Sequence, residues 1–79
     1  MKALANKRRL AILRYLKGRK EATVGDIAEE IKLSFKSTSR HLSVLFSSDI
    51  LEREQKGLEV YYRLASGVPE SAKRILSLL

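Results

Sequence analysis

Residues 34–45 read SFKSTSRHLSVL: five hydroxyl side chains (Ser34, Ser37, Thr38, Ser39, Ser43), Lys36, Arg40 and the chain's only histidine, His41, with no carboxylate. Wound at 3.6 residues per turn, the stretch puts Phe35, Thr38, Leu45 and Phe46 on the side of Leu42, while Lys36, Ser37, Arg40, Ser43, Val44 and Ser47 lie opposite. Short hydroxyls let a backbone approach closely, cations match phosphate walls, and a DNA major groove admits one such helix. The helix N-terminus adds partial positive charge and free N–H groups. Arg40 is the candidate for a bidentate contact, to guanine O6/N7 or to phosphate. Lys36 suits a phosphate or a guanine edge near the helix entrance. Ser34, Ser37, Ser39 and Ser43 complete the candidate contact set. The competing reading is a merely solvated polar face, with serines bonding the preceding turn. His41 lies about 100° from the core direction. It is either a phosphate or backbone contact or a packed boundary residue; with no cysteine and no second histidine it is a poor metal ligand. Val44, apolar on the outer face, is expected to pack on a neighbouring element or to be exposed.

The elements around this helix are legible from their ends and periods. NKRRLAILRYLKG is a first helix with Asn6 as N-cap and Gly18 as terminator. Leu10, Leu13 and Leu16 share one face, and Ala11, Ile12 and Tyr15 the other. The second apolar side is either a subunit interface or is covered by the C-terminal helix of the same chain. In TVGDIAEEIKLS, Thr23 and Asp26 resemble a capping box, and Ile27, Ala28 and Ile31 form a short apolar stripe. Ser34 then caps a recognition helix over about 35–47, which makes helix, turn, helix. ILERE and LEVYYRL alternate around QKG, so Leu58, Val60, Tyr62 and Leu64 share a face of a hairpin over about 50–64, turned at Gly57. A hairpin so placed is a wing, and Gln55 and Lys56 at its tip are placed to reach the minor groove or the backbone. A last helix over about 69–79 opens with Pro69 in its first turn and carries Val68, Ala72, Ile75, Leu76 and Leu79 at helical spacing. The expected fold is mainly α with a small β-hairpin, a winged helix-turn-helix in the order α-α-α-β-β-α, as one domain over 1–79.

Charge points the same way. The net charge is +7; residues 1–20 carry eight cations and no acid, and a second acid-free window runs from Ile31 to Ser48. Such asymmetry suits a polyanion, double-stranded DNA above all, although a solubility charge would look similar in sum. The absence of cysteine excludes disulfides and thiolate zinc sites. No apolar run is long enough to span a bilayer, and the basic start is followed by a charged segment with no signal-peptide core, so a cytoplasmic protein is expected. No paired carboxylates, nucleophile triad, phosphate loop or metal cluster supports an enzyme.

LANKRRLAIL, TVGDIAEEIKLSFKSTSRHLSVL and ILEREQKGLEVYYRLA together resemble the ArsR-type winged helix-turn-helix repressors over residues 4 to 65. The specific parts are Arg9 with Leu10, Ile12 and Leu13, the run Ser39 to Leu42 with Leu45, and Tyr61 to Leu64. The resemblance implies a homodimer built by the first and last helices, with Leu4, Ala11, Ile12, Tyr15, Ile75, Leu76 and Leu79 as candidate interface residues. Two recognition helices would then sit on an inverted-repeat operator. It also makes Arg9 a structural ion-pair partner rather than a DNA ligand. Metal sensors of this family carry cysteines near the helix that here reads VGDIAEE, or acids and histidines along the last helix. The first has no cysteine and the last no histidine, so neither metal nor cofactor is expected. Where the family often has a polar residue at the start of the recognition helix this chain has Phe35, read either as core or as a stack on a thymine methyl or sugar. After the wing glycine stands Leu58, where the family often has a basic residue. The function expected is sequence-specific transcriptional regulation as a homodimeric repressor. A winged-helix protein-interaction module and a non-specific architectural nucleic-acid binder are the alternatives.

Overall fold

The computed structural model describes residues 2–79. Three polar side chains start three of its four α-helices. After a 3₁₀ turn at Lys2–Leu4, Asn6 Oδ1 accepts the amides of Arg8 and Arg9 (2.9 and 3.2 Å) and opens α1, Lys7–Lys17, which ends at Gly18. Thr23 Oγ1 accepts the Asp26 amide at 3.1 Å and opens α2, Val24–Ile31. The Ser34 hydroxyl oxygen accepts the Ser37 amide at 3.1 Å and opens α3, Phe35–Ser47. Each satisfies donors that a helix start leaves without partners. The turn between α2 and α3 is made by Lys32 in the left-handed region (φ 55°), whose neighbour Leu33 donates to the Ala28 carbonyl at 3.0 Å. Asp49 (φ 62°) reverses the chain again after α3.

The wing follows as β2, Leu51–Lys56, and β3, Glu59–Leu64, paired antiparallel with Leu51 opposite Leu64 and Lys56 opposite Glu59. The two-residue turn between them needs a positive φ at its first position, which Gly57 supplies at 64°. The expected two-stranded hairpin is in fact part of a three-stranded sheet of order β1-β3-β2. Its third member is β1, Ala22–Thr23, lying antiparallel to β3 with Ala22 opposite Tyr62 and Thr23 opposite Tyr61. A two-residue strand has no alternation to read, so only tertiary pairing reveals it. The last helix, α4, spans Glu70–Ser77, and Pro69 stands at its N-cap, one residue before the first turn in which it was expected.

Ile12, Leu13, Leu16, Ile27, Leu42, Leu45, Ile50 and Leu51 are fully enclosed, and Ala3, Leu4, Tyr62 and Ala72 join the same cluster. The two-sided α1 is thereby partly explained: the 3₁₀ turn, α2, α3 and β3 all pack around it. Two expected interface residues are corrected as a result. Ile12 is 0% exposed and Leu4 only 4%, so both belong to the core of the single chain. Ala11, Tyr15, Ile75, Leu76 and Leu79 are half-buried and stay at the surface. α4 meets the end of α1 in the same chain, where Lys17 Nζ donates to the Leu79 carbonyl at 3.3 Å.

Two large apolar residues lie outside the core: Phe35, for which core was one of two readings, and Leu58, expected on one face of the hairpin. Phe35 is 63% exposed, although helical phase puts it on the side of Leu42. It is the first residue of α3, and side chains tilt toward a helix's N-terminus, so its ring overhangs the end of the helix. Leu58 is 101% exposed because it occupies the second turn position and never enters β3. Val44 packs partly buried against the core cluster.

Candidate nucleic-acid interface

The outer side of α3 has the composition expected of it. Lys36, Arg40 and Ser43 are exposed, Ser37 and Ser39 are half-buried beside them, and Ser34 is exposed at the N-cap. Among the described residues neither Lys36 nor Arg40 has an ion-pair partner; the four ion pairs of the structure involve Lys56, Arg63 and Lys73. Two unpaired cations one helical turn apart, flanked by hydroxyls at the positive end of a helix dipole, form a surface complementary to phosphate and to base acceptors. Because the Ser34 oxygen already accepts from Ser37, its hydroxyl proton remains available to an incoming acceptor.

His41 is half-buried, and Arg9 Nε on α1 donates to its Nδ1 at 3.2 Å. A guanidinium is always a donor, so Nδ1 is unprotonated and the ring is neutral, with its proton on Nε2. Burial holds the His41 pKa below the ordinary histidine value, and the charges of Arg9, Arg40 and Arg8 lower it further. Arg9, expected in an ion pair, is instead held by His41 and by the Ala3 carbonyl at 3.4 Å. Charge counting could not reveal this, because the partner is a neutral ring on another helix.

Part of the cation-rich N-terminal stretch is likewise engaged in internal contacts. Arg8 donates to the Ile31 carbonyl at the end of α2 (3.5 Å), and the Arg19 guanidinium lies 4.2 Å from the Tyr15 ring centroid. At the wing tip, Lys56 Nζ meets Glu21 Oε2 at 2.6 Å and lies 5.1 Å from the Tyr61 ring. The hydrogen bond from Lys56 holds the Glu21 carboxyl below its usual range, and the same bond raises Lys56. The wing cation expected to reach the minor groove or the backbone is therefore paired within the chain. Gln55 is exposed, its side-chain amide donating to the Gly57 carbonyl at 3.2 Å. Along the hairpin, Arg63 bridges Glu52 and Glu54, both at 3.3 Å.

Among the described residues no three His, Cys, Asp or Glu side chains are grouped to hold a metal ion, and no helix is long and apolar enough to cross a membrane.

Residues 6–53 match the family of bacterial regulatory proteins named arsR. The chain is 39% identical over 67 residues to the transcriptional repressor SdpR of Bacillus subtilis, covering 85% of this chain and 73% of SdpR. The structure of reduced HlyU from Vibrio cholerae superposes with a TM-score of 0.83 at 33% identity, covering 99% of this chain and 78% of that one. By sequence the chain spans 60% of HlyU, a transcriptional activator. The homodimeric winged helix-turn-helix DNA-binding domain of Mb0332 from Mycobacterium bovis gives a TM-score of 0.81 at 36% identity, covering 98% of this chain and 68% of that one. With its winged helix-turn-helix, its cationic α3 and these relatives, the chain belongs to the ArsR family of transcriptional regulators and not to a family of enzymes.

Proposed function

We propose that this protein is a homodimeric transcriptional repressor that reads an inverted-repeat operator in double-stranded DNA. One observation carries the reading: the exposed face of α3 offers Lys36 and Arg40 without internal ion-pair partners, set among hydroxyls. In this reading α3 enters the major groove N-terminus first, and Arg40 spans a guanine edge or a phosphate. Lys36 and Ser34 hold the backbone near the helix entrance, while Ser37, Ser39 and Ser43 line the approach. Gln55 reaches the neighbouring groove from the wing tip. His41 takes a supporting part, since its Nδ1 is engaged by Arg9 and only Nε2–H is left to donate to a phosphate.

The dimer is proposed to form through the half-buried apolar residues Ala11, Tyr15, Ile75, Leu76 and Leu79. The homodimeric Mb0332 domain supports that assembly, and SdpR supports repression. A chromosomal target would place the protein in the cytoplasm, and the reading requires neither metal nor cofactor.

The test is selection from random duplex DNA at physiological salt. An enriched inverted repeat with half-sites about one helical turn apart is the expected result. Salt-sensitive binding without enrichment would indicate a non-specific architectural binder. Failure to retain DNA would overturn the reading in favour of a protein-interaction module.

A further inference from the structure

The polar groups of α3 account for phosphate and hydrogen-bonding contacts, but they leave an apolar feature at the N-terminal end of the helix unexplained. Between the start of α3 and the wing lies a cleft of about 390 Å³, lined by Val24, Phe35, Ser39, Leu58, Val60 and the carboxylate-bearing Glu59. Among the described residues, Phe35 and Leu58 are two of the three large hydrophobic side chains that are exposed, and both lie here. Neither serves the core, and each exposes apolar surface to water, which is unfavourable in the free protein.

We infer that Phe35 is a specificity-determining residue that packs against the 5-methyl group of a thymine in each half-site. The inference rests on the DNA-binding reading above and names one base class within it. Phe35 is followed directly by Lys36 and lies about 1.4 turns before Arg40, so a helix entering the groove by its N-terminus carries the ring toward the base edges. Thymine is the base whose major-groove edge carries a methyl group, and apolar side chains including phenylalanine contact it. The occupant is a base edge rather than a phosphate because Glu59, at the rim of the cleft, repels phosphate and leaves a neutral methyl unaffected.

Replacing thymine by deoxyuridine deletes only that methyl. Binding of the full chain to the selected operator is measured by fluorescence anisotropy, with each thymine of a half-site replaced in turn. For the wild type, one position is expected to lose roughly fourfold in affinity, as for returning one methyl group to water. Phe35→Ala binds the parent operator more weakly and is indifferent to that replacement, while Phe35→Leu keeps part of the sensitivity. The ring is largely solvent-exposed, so neither variant disturbs the core. The inference is overturned if the selected half-site lacks thymine, if no replacement weakens the wild type, or if Phe35→Ala remains as sensitive as the wild type. Failure to select any operator removes the sequence-specific reading itself, a result distinct from an operator that is bound without regard to its methyl groups.

Discussion

Arg9 on α1 and His41 on α3 are joined by a hydrogen bond of 3.2 Å from the guanidinium Nε to the imidazole Nδ1, tying the recognition helix to the first helix through a neutral histidine. Burial together with Arg9, Arg40 and Arg8 disfavours the imidazolium, so the folded-state pKa lies below the unfolded value near 6.5. Below that value the unfolded chain binds more protons than the folded one. This part of the stability is therefore present above about pH 6.5 and is lost as pH falls through the folded-state pKa. Urea titrations from pH 7.5 to 5 are expected to show a falling midpoint for the wild type and a shallower fall for His41→Gln. Equal slopes would mean that the ring does not stay neutral on folding.

Arg40 and Lys36 share a face but are predicted to act differently. Arg40→Ala is expected to cost about 1–3 kcal/mol of specific binding and to relax discrimination at one base pair. Lys36→Ala weakens all duplexes similarly and makes the log–log salt slope shallower by about 1, because one phosphate fewer is neutralised. Affinities for specific and scrambled duplexes over a salt series separate the two roles. An Arg40→Ala variant with unchanged base preference would remove Arg40 from base readout.

The 2.6 Å pair between Lys56 and Glu21 holds back a cation at the wing tip. Glu21→Gln is expected to release Lys56 toward the DNA backbone and to strengthen binding at low salt. The salt slope steepens by about 1, and the gain vanishes at high salt. Lys56 is exposed and Glu21 partly so, so removal of the pair changes the thermal midpoint little. If binding does not strengthen in the same titration, the wing tip lies away from the duplex.

Leu76 on α4 is half-buried beside the surface proposed for dimerisation. Leu76→Glu is expected to shift sedimentation from dimer to monomer and to lower operator affinity at least tenfold, since two half-sites must be held at once. Helical circular dichroism is retained, because Ala72 rather than Leu76 is the enclosed residue of α4. A Leu76→Glu protein that sediments as a dimer would place the interface elsewhere.

Local chemistry was the most legible part of the sequence. Asn6, Thr23 and Ser34 cap the three helices they precede, since a cap needs only its own next three residues. The polar face of α3 followed from period alone. Period assigns a direction, however, and not what lies in that direction. Ile12 points away from Leu13 and is still enclosed, because the 3₁₀ turn, α2, α3 and β3 wrap α1. Phe35 points toward the core and finds none, because the helix begins there. The pair of Lys56 with Glu21 is not legible because the two are 35 residues apart in sequence, and Arg9, an ion-pair residue only by the resemblance, bonds a neutral ring that nothing local indicates.

Thr38 shows how the core tolerates the polar character of the recognition helix. Its side chain is 0% exposed, and its Oγ1 has no hydrogen-bond partner among the described residues. An unpaired buried hydroxyl costs about 1–3 kcal/mol, whereas a methyl of similar size in the same place costs nothing in desolvation. Thr38→Val keeps the β-branched shape and removes the polar atom, so it is expected to stabilise the fold by about 1 kcal/mol. In a domain of this size that raises the thermal midpoint by roughly 4–8 °C. The threonine faces Leu42 and Leu45 rather than the outer surface, so operator affinity stays unchanged. Calorimetry of the two proteins, with anisotropy on one operator, decides the matter. A lower midpoint in Thr38→Val would show that the hydroxyl finds a partner in solution, and weaker DNA binding would show that it helps to set the pitch of α3 in the groove.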